Sequence, residues 1–151
     1  LIQLLELNKQ YPEIALRLMN ISTSEGISIL KHSDCKPMTT VLWWHLVKDN
    51  SNLSPFDIGW SVTPSLGSPI DRVSLIEGLE DNILAAISVH STPTDDLETK
   101  LPANKRKKGI SCYNIVLPLL WDQLVRKSGW EVEKLWEKIS FGPSKFLNQS
   151  E

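Results

Sequence analysis

Histidine and cysteine are scarce in this chain of 151 residues, with three of the first and two of the second. His32, His45 and His90 form no His-x-His pair, and no two stand four apart as a helical pair would. Cys35 and Cys112 match no zinc or redox spacing. A complete metal site therefore cannot be written from this chain alone. Two separated thiols are expected to stay reduced, which predicts a cytoplasmic protein. Gly-x-Ser-x-Gly elbows and phosphate-cradling glycine loops are missing. No apolar run reaches the ~18 residues of a membrane span, and no secretory signal pattern is visible. Neither sign of charge dominates, since 16 Lys and Arg face 18 Asp and Glu. Nothing in that balance calls for nucleic acid or an anionic membrane as a partner. The one basic run, Lys105-Arg106-Lys107-Lys108, lies in a polar stretch and reads as a solvated loop.

What is present is ordinary globular usage, 41% hydrophobic and 23% charged, in a length that suits one domain. The chain opens at Leu1 directly into Leu1-Ile2-Gln3-Leu4-Leu5-Glu6-Leu7. This reads as the middle of a helix without an N-cap, and the expectation is a sequence that begins inside a longer protein. Tyr11-Pro12 ends the pattern. Ala15 to Ile21 has strand length. Ser22 and Glu25 have capping-box spacing, which predicts a helix from there to about Ser33. Met38 to Leu46 is β-branched and apolar enough for a second strand. Ile58 to Val62 alternates and predicts a third. Ser68 and Pro69 suit the N-cap and first turn of a helix whose buried face holds Val73, Ile76 and Leu79, with Leu75 beside them. Ile83 to Val89 is a fourth strand, apolar enough to be covered on both faces.

His90 to Gly109 is polar and proline-punctuated, a length of loop that is usually functional or disordered. Ile115 to Lys127, with Pro118 in its first turn, and Trp130 to Ile139 read as amphipathic helices. Leu135, Trp136 and Ile139 mark the apolar side of the second. Phe141-Gly142-Pro143 is expected to break it before a short closing helix. Strands alternating with helices imply a parallel sheet with helical crossovers. Half of a (β/α)₈ barrel and an open α/β sheet satisfy that order equally well.

Taken by themselves, the histidines offer little chemistry. His32 falls on the polar side of a helix and reads as a surface residue. His45 follows Trp43-Trp44 at a strand end, where a partly buried structural histidine is the commoner outcome. His90 stands at the C-terminal end of the fourth strand, where parallel barrels place their active-site groups. Most of the six tryptophans read as core packing.

Several segments, in order, resemble the dihydroorotase family of amidohydrolases. Asn20-Ile21-Ser22-Thr23-Ser24-Glu25-Gly26 is similar to the family's His-Val-Ser-Thr-x-Glu-Gly after the sixth barrel strand. Thr39 to Leu46 resembles the segment ending Pro-His-His-Leu. Val62-Thr63-Pro64-Ser65-Leu66-Gly67 resembles Val-Asn-Pro-Pro-Leu-Arg, and Asp71-Arg72 with Leu75 to Leu79 extends the likeness. Ala86-Ile87-Ser88-Val89-His90-Ser91-Thr92-Pro93 is similar to Ala-Ile-Ala-Thr-Asp-His-Ala-Pro-His. Gly109 to Leu120 resembles the loop and Pro-Leu-Leu helix that follow, and Ser140 to Ser144 the closing Ser-x-Asn-Pro-Ala. The wording is similar to the cyanobacterial dihydroorotase-like branch.

The resemblance implies an α/β fold, the C-terminal half of a (β/α)₈ TIM-type amidohydrolase barrel. Residues 1–151 would supply roughly strands 6 to 8 and the closing helices. It implies dihydroorotate ring hydrolysis in pyrimidine biosynthesis, driven by a zinc pair that lowers the pKa of a bridging water. This sequence departs from the pattern at both metal positions it covers. Asn20 stands at the histidine position and Val89 at the aspartate position, so no metal ligand and no catalytic residue is carried over. Thr63 replaces a substrate-binding asparagine, Gly67 an arginine and Pro93 a histidine, while Cys112 and Asn114 replace a glycine and a glutamate. His90, Thr63 and His45 remain as substrate-pocket candidates. The expectation is a barrel of this lineage that holds no zinc, a pseudoenzyme. Members without metal ligands imply a non-catalytic structural role beside aspartate transcarbamoylase. A homo-oligomer and a retained small-molecule pocket are further expectations. Half a barrel leaves two strand edges open, which predicts poor solubility for the piece alone.

Overall fold

The computed structural model describes residues 1–54, 58–93, 95–102, 105–111 and 113–149. Cys112 lies outside them. Three short parallel strands form the sheet: β1 (Arg17–Leu18), β2 (Met38–Leu42) and β3 (Ala86–Ser88), in the order β1-β2-β3. Parallel neighbours need a crossover. Helix α2 (Ser24–His32) joins β1 to β2, and α4 (Pro69–Glu80) joins β2 to β3. Helix α1 (Ile2–Gln10) precedes β1, and α3 (Trp44–Val47) follows β2 at once. After β3 come α5 (Asp96–Thr99), α6 (Tyr113–Leu120), α7 (Val132–Trp136) and α8 (Gly142–Phe146).

Pairing of Leu18 with Thr39, and of Val41 with Ile87, fixes which residues share a face. Leu18, Thr39, Val41 and Ile87 point one way. Arg17, Met38, Thr40, Leu42, Ala86 and Ser88 point the other. Leu18 packs with Leu5 of α1 and Leu30 of α2, so its face is the one covered by helices. The larger core joins Val41 and Ile87 to Ile27 of α2, Leu75, Ile76 and Leu79 of α4, and Leu120, Leu124 and Leu135 of the C-terminal helices.

Local chemistry explains the helix ends. Ser68 caps α4: its hydroxyl accepts from the Asp71 N–H, the Asp71 carboxylate accepts from the Ser68 N–H, and Pro69 fills the first turn. At α2 the cap lies one residue beyond the predicted Ser22. Thr23 Oγ1 accepts the Gly26 N–H at 3.1 Å. Glu25 then falls in the first turn, where its charge still suits the helix dipole.

Other expectations fail as well. Ile58–Trp60 is a single 3₁₀ turn and not a strand. Trp60 leans on Trp43 with ring centroids 6.5 Å apart, and the Ser61 carbonyl accepts from the Gly109 N–H. A side-chain contact thus replaces the ladder, and the sheet has three strands among the described residues. Strand β2 stops at Leu42, so His45 sits in a helical turn and not at a strand end. Val73 is exposed while Leu75 is buried, because the core-facing stripe of α4 runs through Leu75, Ile76 and Leu79. Phe141 to Pro143 does not break the last helix. α7 continues through a π-helical stretch (Glu137–Phe141) straight into α8. Gly142 permits this, because a Cβ there would lie 2.3 Å from the Ala85 carbonyl at the start of β3.

The helix before α7 also passes into a π-helical stretch (Trp121–Lys127). This helix, α6, carries Pro118 in its interior, not its first turn. Proline removes one i→i−4 bond and crowds the preceding turn, a usual setting for such irregularity. Trp121 and Trp136 are exposed, whereas Trp43, Trp44 and Trp130 are buried, so half of the tryptophans form true core. The indole N–H of Trp130 donates to the Glu80 carboxylate at 2.5 Å and ties the C-terminal helices to the end of α4. No helix among the described residues is long and apolar enough to cross a membrane.

Candidate functional site

In a parallel α/β sheet the turns after the strands gather at one end, and chemistry is usually found there. Asn20 follows β1 by two residues and adopts a left-handed backbone, with φ at 64°. Asparagine tolerates that region better than most residues. Its N–H donates to Thr40 Oγ1 at 3.2 Å, and the next N–H, of Ile21, donates to the Thr40 carbonyl at 2.9 Å. The Asn20 side chain reaches the third strand. Ser88 Oγ lies 3.1 Å from Asn20 Oδ1 and 3.1 Å from the Val41 carbonyl, and its single proton serves these two acceptors. Asn20, Thr40 and Ser88 therefore pin the ends of all three strands with neutral hydrogen bonds.

Val89 comes next after Ser88 and is 37% exposed. The two positions singled out from sequence, Asn20 and Val89, are thus brought to the same place. The donor set they present is an amide already bonded through its oxygen and an isopropyl group. Zinc takes imidazole, thiolate or carboxylate. Among the described residues, no three His, Cys, Asp or Glu side chains are grouped to hold a metal ion. The residues present at these strand ends do not fit a zinc pair.

His90 and Thr63 are both exposed. The segment Gly109–Ile110 links their neighbourhoods. Gly109 N–H donates to Ser61 and Thr92 N–H donates to Ile110. His45 is different. It is 2% exposed, and its Nε2 donates to the Ser65 carbonyl at 3.1 Å, which holds α3 against the loop carrying Thr63. Burial pushes its pKa below the usual histidine value, against the opposing pull of the backbone carbonyls. The hydrogen bond to the Ser65 carbonyl places a proton on Nε2. Nδ1 finds no partner among the described residues.

Sequence reasoning gave Asp71 no role, yet it is the most heavily bonded carboxylate at this end. Oδ1 accepts from the Ser24 N–H and hydroxyl at 2.8 and 2.9 Å. Oδ2 accepts from the Ser68 N–H and hydroxyl at 2.8 and 2.7 Å. One side chain clasps the starts of α2 and α4. Burial alone would raise its pKa, but these donors outweigh it and hold the carboxyl at about 2. Gly67 leaves room for the clasp, because a Cβ there would lie 2.7 Å from Asp71 Oδ2 and 2.8 Å from its Cβ. A side chain at position 67 would oblige the Asp71 side chain to shift. The three-residue spacing from Ser68 was the signal for half of it. The contact with Ser24 spans 47 positions and leaves no local trace.

Comparison with known proteins agrees with the α/β fold. The chain is 31% identical over 160 residues to a probable dihydroorotase-like protein of Synechocystis, covering 98% of this chain and 36% of that protein. It is 29% identical to a dihydroorotase of Thermus aquaticus, over 87% of this chain and 32% of that one. The chain spans about a third of the length of these relatives. No family model matches it. The solved dihydroorotase of Saccharomyces cerevisiae superposes with a TM-score of 0.77 at 15% identity, over 98% of this chain and 42% of that one. An inactive dihydroorotase-like domain of a CAD-like multifunctional protein from Chaetomium thermophilum superposes with a TM-score of 0.67 at 20% identity, over 98% of this chain and 41% of that one. These structural neighbours are TIM-barrel amidohydrolases.

Proposed function

Sequence and fold relate this chain to the dihydroorotases and dihydroorotase-like proteins of the amidohydrolase superfamily, and from that premise we propose that it is the C-terminal part of a barrel of this kind that no longer opens a ring. Cyclic-amide hydrolysis in pyrimidine biosynthesis is the activity of the lineage. The observation that carries the non-catalytic reading is the Ser88–Asn20 hydrogen bond beside Val89. A dihydroorotase needs ionised water at neutral pH, which calls for metal donors at the strand ends. Here those places hold an amide committed to a neighbouring strand and an alkyl group that can neither coordinate nor carry a proton. His90 and Thr63 can still touch a small molecule, since both are exposed on the same rim, but neither replaces the missing donors.

The role that remains is structural, in the cytoplasm, as a partner of aspartate transcarbamoylase. The Chaetomium neighbour supports it by analogy, being an inactive dihydroorotase-like domain within a CAD-like multifunctional protein. The test is to purify the protein carrying this chain from its own cells and assay it with dihydroorotate and zinc. No hydrolysis above the uncatalysed rate, with co-elution of a transcarbamoylase, is the expected result. Zinc-dependent hydrolysis that is abolished by a chelator refutes the reading.

A further inference from the structure

A cleft of about 590 Å³ lies between the loop after α3, the first turn of α4 and the π-helical stretch Trp121–Lys127. It shares no lining residue with the strand-end rim of Asn20, Thr63, Val89 and His90. Lys48, Arg72 and Lys127 line it, one from each of these segments, and Asp49 is the one carboxylate among the described lining residues. That carboxylate is already committed. Its Oδ2 accepts from Arg72 Nε at 2.9 Å and its Oδ1 from the Ser51 N–H at 3.1 Å. The Ser51 hydroxyl, which donates to the same Oδ1, does most to hold its pKa below the usual carboxylate value. Lys127 reaches Asp122 at 2.6 Å, but Asp122 also holds Arg126 at 3.2 Å. Two carboxylates thus answer four cations around the cleft. The side chains of Lys48 and Gln123, both on the cleft wall, have no partner among the described residues. This local excess of positive charge stands out in a chain whose formal net charge is −2. A recess walled by one sign of charge concentrates ions of the other.

We infer that this cleft binds a compact anion that carries a phosphate group. The inference goes beyond the barrel reading and does not rest on it. The unanswered charge around the cleft is that of two cations, which suits a phosphate dianion better than a single carboxylate. The cations stand on three separate segments, so they can meet a tetrahedral group from different sides. A carboxylate offers only two oxygens in one plane. Arg72 is bonded to Asp49 through Nε, which leaves its terminal nitrogens to donate, and a guanidinium fork matches phosphate oxygens. The Gln123 amide adds a neutral donor on the same wall. Among the described lining residues only Val47 and Pro69 are apolar. With no aromatic face on which a base could stack, the cleft suits a small phosphorylated molecule and not a nucleotide. Bound there, the anion ties the loop after α3 to α4 and to the π-helical stretch.

The test is calorimetric titration of the purified protein carrying this chain with inorganic phosphate, pyrophosphate and succinate at fixed ionic strength. Saturable binding of both phosphates at one site per chain is expected. Succinate, which carries two charges without a tetrahedral group, should bind at least about tenfold more weakly. Lys48→Ala and Lys127→Ala should each weaken pyrophosphate binding about fivefold or more, and Lys48→Glu should abolish it. The Lys127 side chain is 62% exposed, so its loss should leave the circular dichroism spectrum unchanged. Arg72 stays in place, because its bond to Asp49 also fastens the loop after α3 to α4. Lys105→Ala, exposed and outside the cleft, removes the same charge from the chain and should bind as the wild type does. No saturable binding of either phosphate, unchanged affinity in both cleft variants, equal weakening by Lys105→Ala, or a preference for succinate overturns the inference.

Discussion

The two ends of the sheet are built from different chemistry. At the C-terminal ends of the strands, Asn20, Thr40 and Ser88 exchange neutral hydrogen bonds, and Val89 adds an alkyl group. At the N-terminal end of β3 a lysine is buried. Lys138 is 2% exposed and donates to Asn82 Oδ1 at 2.7 Å and to the Leu84 carbonyl at 3.3 Å. Burial pushes its pKa below the usual lysine value. Asn82 holds its carbonyl in place from a left-handed backbone, with φ at 58°. In barrels of this type, chemistry belongs to the first end and stability to the second. Here a buried lysine sits at the stability end. The end where chemistry is expected offers exposed His90, a buried His45 bonded to the Ser65 carbonyl and a carboxylate, Asp71, whose two oxygens are fully committed to serines. The contrast teaches that at one end of the sheet polar side chains serve as pins and clasps between strands and helix starts, while at the other a buried ammonium is held by two carbonyl oxygens.

The largest effect should come from the buried lysine. Lys138→Ala leaves two acceptors without a donor and opens a cavity, so it should cost about 2–4 kcal/mol in urea unfolding. Lys138→Met keeps most of the volume and should cost less than half as much. Equal losses in the two variants would mean that packing contributes nothing there and the ammonium everything.

Asp71 should follow. Its folded pKa of about 2 lies below the ordinary 3.8, so its contribution is fully present above pH 3.8 and is lost as the pH falls through 2. By linkage the shift corresponds to ~2 kcal/mol, reduced by solvent at a half-buried site. Asp71→Asn should therefore weaken the protein at pH 7 and flatten its stability between about pH 4 and pH 2. A variant whose acid sensitivity equals that of the wild type would show that the clasp is not what titrates.

The smallest of the three is Asn20→Ala, at about 1–2 kcal/mol, from one lost hydrogen bond and an alanine held at positive φ. Asn20→Gly should recover the backbone share. If both variants melt with the wild type, the pin at the strand ends carries no stability and the contrast between the ends is weaker than drawn.

Much of the framework was legible in the sequence because it is written locally. Ser68-Pro69 announces the start of α4 by hydrogen-bond and proline chemistry within four residues. Asn20 and Val89 stood out because a resemblance supplied the register. What could not be read depends on contacts between distant segments. Ile58 to Val62 alternates like a strand, yet the chain makes a 3₁₀ turn there with Trp60 tilted against Trp43, 17 positions away. His45 looked like a strand-end residue because β2 and α3 form one apolar run, and the bond to Ser65 that fixes it spans 20 positions. The Asp71 clasp and the Lys138 socket join residues 47 and 54 to 56 positions apart, beyond the reach of any periodicity. The four-strand expectation failed for the same reason.

The zinc content of the assembled barrel, measured by mass spectrometry after dialysis against zinc and then against metal-free buffer, tests the central claim most directly. With Asn20 and Val89 in place, no zinc above the buffer background is expected at the strand ends. Two ions per barrel, retained by the wild type and lost in Asn20→Ala, would contradict it.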